Sequence, residues 1–211
     1  HVIRKYVARG IRAMKCATTL ELIMVCEAGA EDALLAFPVV GAVAARVKAI
    51  ADRCANVRIS VLVENAAQAA IWRTTRIGTF VDVNPGMNRT GIDQDRIDAV
   101  ASLVCELSDF RGLHYYDGHM HIADLKERER AAHAGYAKLM QLVDACERDG
   151  RPAPEVVTTG TPALLCATSF SPFGKGRFIH AVSPGTVVYG DCTSLNEIPR
   201  ELLDYRAAAL V

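Results

Sequence analysis

The sequence predicts an α/β domain of the TIM-type (β/α)8 barrel class, short of its first strand. Three observations lead there. Short β-rich runs alternate with longer amphipathic stretches, no glycine-rich loop follows the first strand, and unusual polar residues gather where several different strands end. The alternation implies a parallel sheet with helices outside it. Doubly wound and barrel arrangements both satisfy that pattern. A dinucleotide fold would need a phosphate-binding glycine turn after its first strand, whereas polar strand ends are the habit of barrel active sites.

The candidate strands cover residues 11–17, 32–37, 57–63, 79–83, 112–116, 156–159 and 178–181. Leu20, Ile23 and Met24 mark a helix that stops at Glu27-Ala28-Gly29. Val43, Val47 and Ile50 mark another, and Ile97, Val100, Ala101 and Val104 a third, after Asp93. A long helix over 125–148 ends in Asp149-Gly150-Arg151-Pro152, a stop built from glycine and proline. Seven strands are one fewer than a closed barrel. No repeat or linker divides the chain, so residues 1–211 read as one domain.

Composition narrows the function classes. Half of the 211 residues are apolar, enough for one domain with a substantial core. Lys+Arg and Asp+Glu balance at 24 each, so no strong field draws nucleic acid or an acidic membrane surface. No apolar run is long enough to cross a bilayer. The opening HVIRKYVARG does not read as a signal peptide. It lacks an initiator Met and is read as a cut edge. Seven scattered cysteines form no CxxC pair, and most lie in apolar runs. That usage points to a reducing compartment, hence the cytoplasm, rather than to a disulfide framework.

Four strand ends hold residues suited to chemistry. In residues 81–91, VDVNPGMNRTG, a buried strand runs into a Pro-Gly turn and presents Arg89. A guidinium there either grips an anionic oxygen or caps a surface loop. In residues 113–121, LHYYDGHMH, three histidines, two tyrosines and Asp117 crowd together. Histidine transfers protons near neutral pH or binds metal, but no third ligand joins His119 and His121, so no metal is assigned. In residues 157–162, VTTGTP, backbone N–H groups at a helix start would cradle phosphate. The plainer reading is an N-cap at Thr161 with Pro162 at the first helical position. In residues 182–191, VSPGTVVYGD, a second Gly-Thr turn comes with Tyr189 and Asp191. It is either a further grip on the same phosphate, as the last strands of barrels commonly provide, or a plain Pro-Gly turn.

Taken in order, these segments resemble one family. DVNPGMNRTG is similar to the DxGMxRxG segment of alanine racemases and D-threonine aldolase-like enzymes. YYDGHMH resembles the YDGH segment of the D-threonine aldolase and D-serine dehydratase branch. VTTGTPA and SPGTVVYGD resemble that branch's phosphate loops. The run from Gly10 resembles its KCAT-x-x-E and DVLLAYPVVG stretch. The match covers nearly the whole chain.

The resemblance implies a pyridoxal 5'-phosphate (PLP) enzyme with an alanine-racemase-type barrel, acting on a D-amino acid. It places Arg89 at the cofactor's phenolic oxygen. His119 and Tyr116 become the catalytic groups beside the ring and substrate. Thr159, Gly160, Thr161, Gly185, Thr186, Tyr189 and Asp191 fall to cofactor binding. It further implies aldol cleavage of D-threonine-like substrates or dehydration of D-serine-like ones. Related enzymes are often homodimers, and a divalent metal belongs to a second domain that is not in this sequence. Two departures qualify the picture. The PHxKxHK segment that carries the cofactor lysine is absent, and Lys15, in the KCAT segment, is not expected to replace it, so the chain alone is expected to be inactive. Ser183 stands where alanine racemase has an arginine facing the pyridine nitrogen, which disfavours racemisation. A binding protein that holds PLP or another phosphate without turnover is the rival from another class.

Overall fold

A computed structural model describes residues 1–188. Seven parallel strands form one curled sheet: β1 (Ala13–Cys16), β2 (Asp32–Leu35), β3 (Arg58–Val63), β4 (Gly78–Asn84), β6 (Phe110–Tyr115), β7 (Glu155–Thr158) and β8 (Ile179–Val182), adjacent in that order. Each matches a strand expected from sequence, within a few residues. A two-residue strand, β5 (Ile92–Asp93), pairs beside the end of β4. The helices α1 (Val2–Ala8), α2 (Thr19–Glu27), α3 (Gly41–Arg53), α4 (Ala66–Trp72), α5 (Ile97–Glu106), α6 (Leu125–Arg148) and α7 (Leu164–Ser169) complete the alternation. The result is an open arc of a (β/α)8 barrel. Its two edges curl toward each other, so that Lys15 of β1 meets Ser183, one residue beyond β8.

Local chemistry explains the helix starts. Thr18 Oγ1 accepts from the Glu21 N–H at 3.2 Å, while the Glu21 carboxylate accepts from the Ala17 and Thr18 N–H groups. This reciprocal capping box satisfies donors that the first turn would otherwise leave open, and it accounts for the T-x-x-E half of the KCAT-x-x-E segment. Asn65 caps α4 through Gln68 N–H, and Asp124 caps α6 through Glu127 N–H. Sequence periodicity did not find α4, because AAQAAIW has too little apolar contrast for a stripe.

Apolar residues fill two layers. The larger lies between sheet and helices and includes Leu22, Val47, Ile59, Val81, Val100, Leu113, Tyr136, Leu139 and Val156. The smaller lies on the concave face: Leu34, Leu62, Phe80 and Val157, flanked by Ala36 and Ala181. Below it, at the N-terminal ends of the strands, Arg111 closes the floor. Its guanidinium donates to Ser60 Oγ at 2.9 Å, Asp32 Oδ2 at 2.8 Å and Glu155 Oε2 at 3.4 Å, and lies over the Phe80 ring. A register shift in the β4–β6 pair accompanies this inward turn. Gly112 follows it with φ +144°, and a Cβ there would stand 1.8 Å from the Glu155 carbonyl oxygen. Only glycine fits that close approach.

Candidate functional site

Above the apolar layer, the C-terminal strand ends form a polar cup. Its centre rests on strand register. Asp82 of β4 and His114 of β6 are direct partners in the ladder, and both side chains are buried. His114 Nδ1–H donates to Asp82 Oδ1 at 2.7 Å. Burial holds the imidazole below its ordinary pKa, outweighing the pull of Asp82 toward the charged form. His114 is therefore neutral, with Nε2 as an acceptor. His114 Nε2, Asp82 Oδ2 and the hydroxyl of Thr159 have no hydrogen-bond partner within the protein. Buried polar atoms normally find partners, so three orphans at the strand ends fit a polar ligand.

Tyr116 forms one wall. Its ring stacks parallel to His114, with Lys15 Nζ 4.6 Å from its centroid and the Arg89 guanidinium carbon at 5.0 Å. Arg89 is reached through a loop that Asn84 organises. The Asn84 Oδ1 accepts from both Gly86 and Asn88 N–H at 3.0 Å, and Asn88 takes a left-handed φ of 54°. The Pro-Gly turn seen in the sequence is thus folded by its first residue. Asp82, Val83, Pro85, Met87, Arg89, Thr90 and Tyr116 line a small cleft there.

The Gly-Thr loops adjoin that wall, with the Tyr116 ring lying against Gly160. Thr159 has φ +64°, a rare state for a β-branched residue. That bend lets the Gly160 N–H donate to Asp117 Oδ1 at 3.0 Å, while Asp117 Oδ2 accepts from the Tyr136 hydroxyl at 2.7 Å. Asp117 is fully buried, and burial raises its pKa against those two hydrogen bonds. Thr161 Oγ1 accepts from the Thr186 N–H at 3.1 Å, so the two Gly-Thr loops are joined. Ser183 Oγ reaches the Thr158 and Thr159 carbonyls and receives the Lys15 amine at 2.5 Å.

Several expectations change on this geometry. Thr161 is not an N-cap: Gly160 holds that position before a 3-10 turn over Thr161–Ala163, and the Thr161 hydroxyl serves Thr186 instead. The helix that follows, α7, has only six residues, so a helix dipole contributes little there. The Gly160 and Thr186 N–H groups, expected at phosphate, bond within the protein. The histidine cluster also divides. His114 lies in the floor, whereas His119 and His121 are exposed on the rim, with His119 Nε2 over Gly86. Among the described residues, no three His, Cys, Asp or Glu side chains group as metal ligands. Arg89, Tyr116, Thr159, Gly160, Thr161, Gly185 and Thr186 lie within the described residues; Tyr189 and Asp191 lie outside them. Sequence reasoning set Lys15 aside and missed the Asp82–His114 pair and the Asp117–Tyr136 support.

A parallel arc with polar residues gathered at its C-terminal strand ends defines an α/β domain of the (β/α)8-barrel class, in which sites are built from the βα loops. The family model for the alanine racemase N-terminal domain matches residues 1–193, and the chain belongs to that family. Comparison with curated protein sequences finds no match. Among solved structures, D-threonine aldolase from Filomicrobium marinum superposes with TM-score 0.77 at 24% identity, covering 93% of this chain and 54% of that one. D-threo-3-hydroxyaspartate dehydratase from Delftia sp. HT23 gives 0.75 at 19% identity, with 91% and 52% covered. Lysine/ornithine decarboxylase from Vibrio vulnificus gives 0.67 at 14% identity, with 90% and 54% covered. These likenesses concern the fold, and the chain spans about half the length of those structures. Among the described residues, no helix is long and apolar enough to cross a membrane.

Proposed function

We propose that this chain is the barrel portion of a PLP-dependent lyase acting on D-amino acids. Aldol cleavage of D-threonine-like substrates or dehydration of D-serine-like ones is favoured over racemisation. The observation that carries this reading is the polar cup itself. Two joined Gly-Thr loops lie beside Tyr116 and Arg89, and the orphan atoms of Asp82, His114 and Thr159 lie at the same strand ends. The chemistry of these groups suits a phosphate-bearing pyridine. Gly160, Thr161, Gly185 and Thr186 would hold its phosphate end, with local rearrangement where their N–H groups bond internally. Arg89 would hold its phenolic oxygen, and Thr159 would offer its hydroxyl. Tyr189 and Asp191 complete the proposed set.

When bound, PLP supplies an electron sink for charge developing on the amino acid's α-carbon. The chain's own residues then orient and move protons. The Asp82–His114 pair presents a neutral Nε2 that can only accept a hydrogen bond. Tyr116, beside Lys15 and Arg89, and His119, on the rim above Gly86, are the proton-transfer groups of this reading. The uncharged Ser183 supports cleavage or elimination over racemisation. We include in this reading a cytoplasmic location, a homodimer, and a divalent metal contributed only from outside this chain.

The test is turnover of D-threonine and D-serine by the gene product that carries this chain. His119→Ala should lower kcat by about 100-fold, the usual span for a lost acid–base group, with the fold retained by circular dichroism. Unchanged turnover in His119→Ala would remove that residue from the reaction.

A further inference from the structure

Arg89 reaches the cup on a loop, and little holds its guanidinium directly. The residue is exposed, its charge lies over the Tyr116 ring, and among the described residues no carboxylate forms an ion pair with it. Where the charge stands is therefore set by the backbone that carries it. Two side chains fasten that backbone. Asn84 folds the first half of the loop through the Gly86 and Asn88 N–H groups. The second half is fastened from a different strand. Glu64 directly follows β3, and its Oε2 accepts from the Gly91 N–H at 2.7 Å, just past Arg89. Hydrogen bonds to a carboxylate are among the stronger ones in proteins.

Glu64 is itself braced. Its Oε1 accepts from Gln68 Nε2 at 3.3 Å, and Gln68 Oε1 accepts from the Glu64 N–H at 2.8 Å. Gln68 stands in the first turn of α4 and is buried. Gly91, with φ +99°, lies flat on the end of β4, where a Cβ would stand 2.8 Å from the Asn84 nitrogen. Only glycine allows that approach, and it brings the Gly91 N–H within reach of Glu64. Immediately beyond, β5 pairs with β4.

We propose that Glu64 is a positioning residue of this site, which fixes Arg89 through the Gly91 N–H. The inference rests on the reading above insofar as the ligand that Arg89 meets is PLP. Glu64 acts through the backbone and not by contact with that ligand. A loop fastened at both ends presents its charge already placed, so binding does not bear the cost of ordering it. Without the carboxylate, the Gly91 N–H loses its acceptor, and the ligand must order Arg89 itself.

The experiment uses the gene product that carries this chain, freed of bound cofactor. Wild type is compared with Glu64→Ala, Glu64→Gln, Arg89→Ala and the Glu64→Ala/Arg89→Ala double variant. Equilibrium dialysis gives the PLP affinity, and amide hydrogen exchange without ligand follows residues 84–91. Glu64→Ala should weaken PLP binding about tenfold and speed exchange at Gly91 about tenfold, the scale of a lost hydrogen bond to a charged group. Glu64→Gln keeps an acceptor for the Gly91 N–H and should stay within about threefold of wild type in both. Glu64→Asp keeps the charge but draws the carboxylate back by one methylene. It should show about threefold losses even where the alanine variant fails to fold. In the Arg89→Ala background, Glu64→Ala should weaken binding no further, since a residue that acts through Arg89 then has nothing to position. The same loss in that background would make Glu64 a general structural residue and overturn the inference. Equal PLP affinity in wild type and Glu64→Ala would overturn it too. A wild type that binds no PLP sinks the cofactor reading, and exchange then decides the inference alone. Faster exchange at Arg89 and Gly91 in Glu64→Ala upholds Glu64 as the residue that holds the arginine loop, and unaltered exchange refutes it.

Discussion

Asp117→Ala is expected to lower the unfolding free energy by about 3 kcal/mol and to weaken PLP binding at least tenfold. The carboxylate is fully buried and accepts from the Tyr136 hydroxyl and the Gly160 N–H. Alanine leaves both donors without a partner, and each orphaned group costs roughly 1–3 kcal/mol. The binding effect follows from position. Gly160 is held in place by Asp117, and Thr159, strained at φ +64°, depends on the same anchor. Released, the loop moves toward unstrained backbone and the Gly-Thr wall loses its shape. Asp117→Asn keeps one acceptor and the same volume, so it should lose only about 1 kcal/mol. Urea unfolding and equilibrium dialysis with PLP check the pair. Equal affinity in wild type and Asp117→Ala would show that the loop's shape does not depend on this carboxylate.

Arg111→Met is expected to cost about 2–4 kcal/mol without touching the cup. Removing one partner of a buried ion pair commonly costs 3–5 kcal/mol. The figure is reduced here because Asp32 and Glu155 keep some solvent contact. From β6, Arg111 joins β2, β3 and β7 across the floor of the arc, through Asp32, Ser60 and Glu155. Without it, two carboxylates face each other across a low-dielectric space. Burial already raises the Glu155 pKa, and loss of Arg111 would raise it further. The penalty should therefore shrink as pH falls and those carboxylates take up protons. Urea midpoints at pH 7 and pH 4 provide the check. A penalty that does not change with pH would assign the loss to packing over Phe80 rather than to charge.

The alternation of strands and helices was legible because each strand is a short apolar run and most helices carry a clear stripe. The strand ends were legible as places, since Arg89, Asp117 and the Gly-Thr turns break apolar patterns where loops begin. What those residues contact was not. Asp82 and His114 lie 32 residues apart in sequence, and only the β4–β6 register sets them side by side. Lys15 sits between Met14 and Cys16, where a lone lysine in a strand reads as facing water; its direction follows from the curl of the sheet. Arg111 falls outside the strand expected from 112, because the register shift ahead of Gly112 leaves no mark in the hydrophobic period. Asp117 was read with the chemistry of its histidine neighbours, yet its partner Tyr136 lies on α6, invisible to any local pattern.

The strand order also has a consequence for how a ligand would be received. Asp82 and His114 belong to interior strands of the sheet, each hydrogen-bonded on both sides, whereas Lys15 and Ser183 belong to its two margins, where among the described residues each strand has one neighbour. Stability within a protein follows such differences in backbone pairing and burial. The interior groups are thus set by pairing on both sides, while Lys15 and Ser183 are set by one strand neighbour each and by their contact with each other.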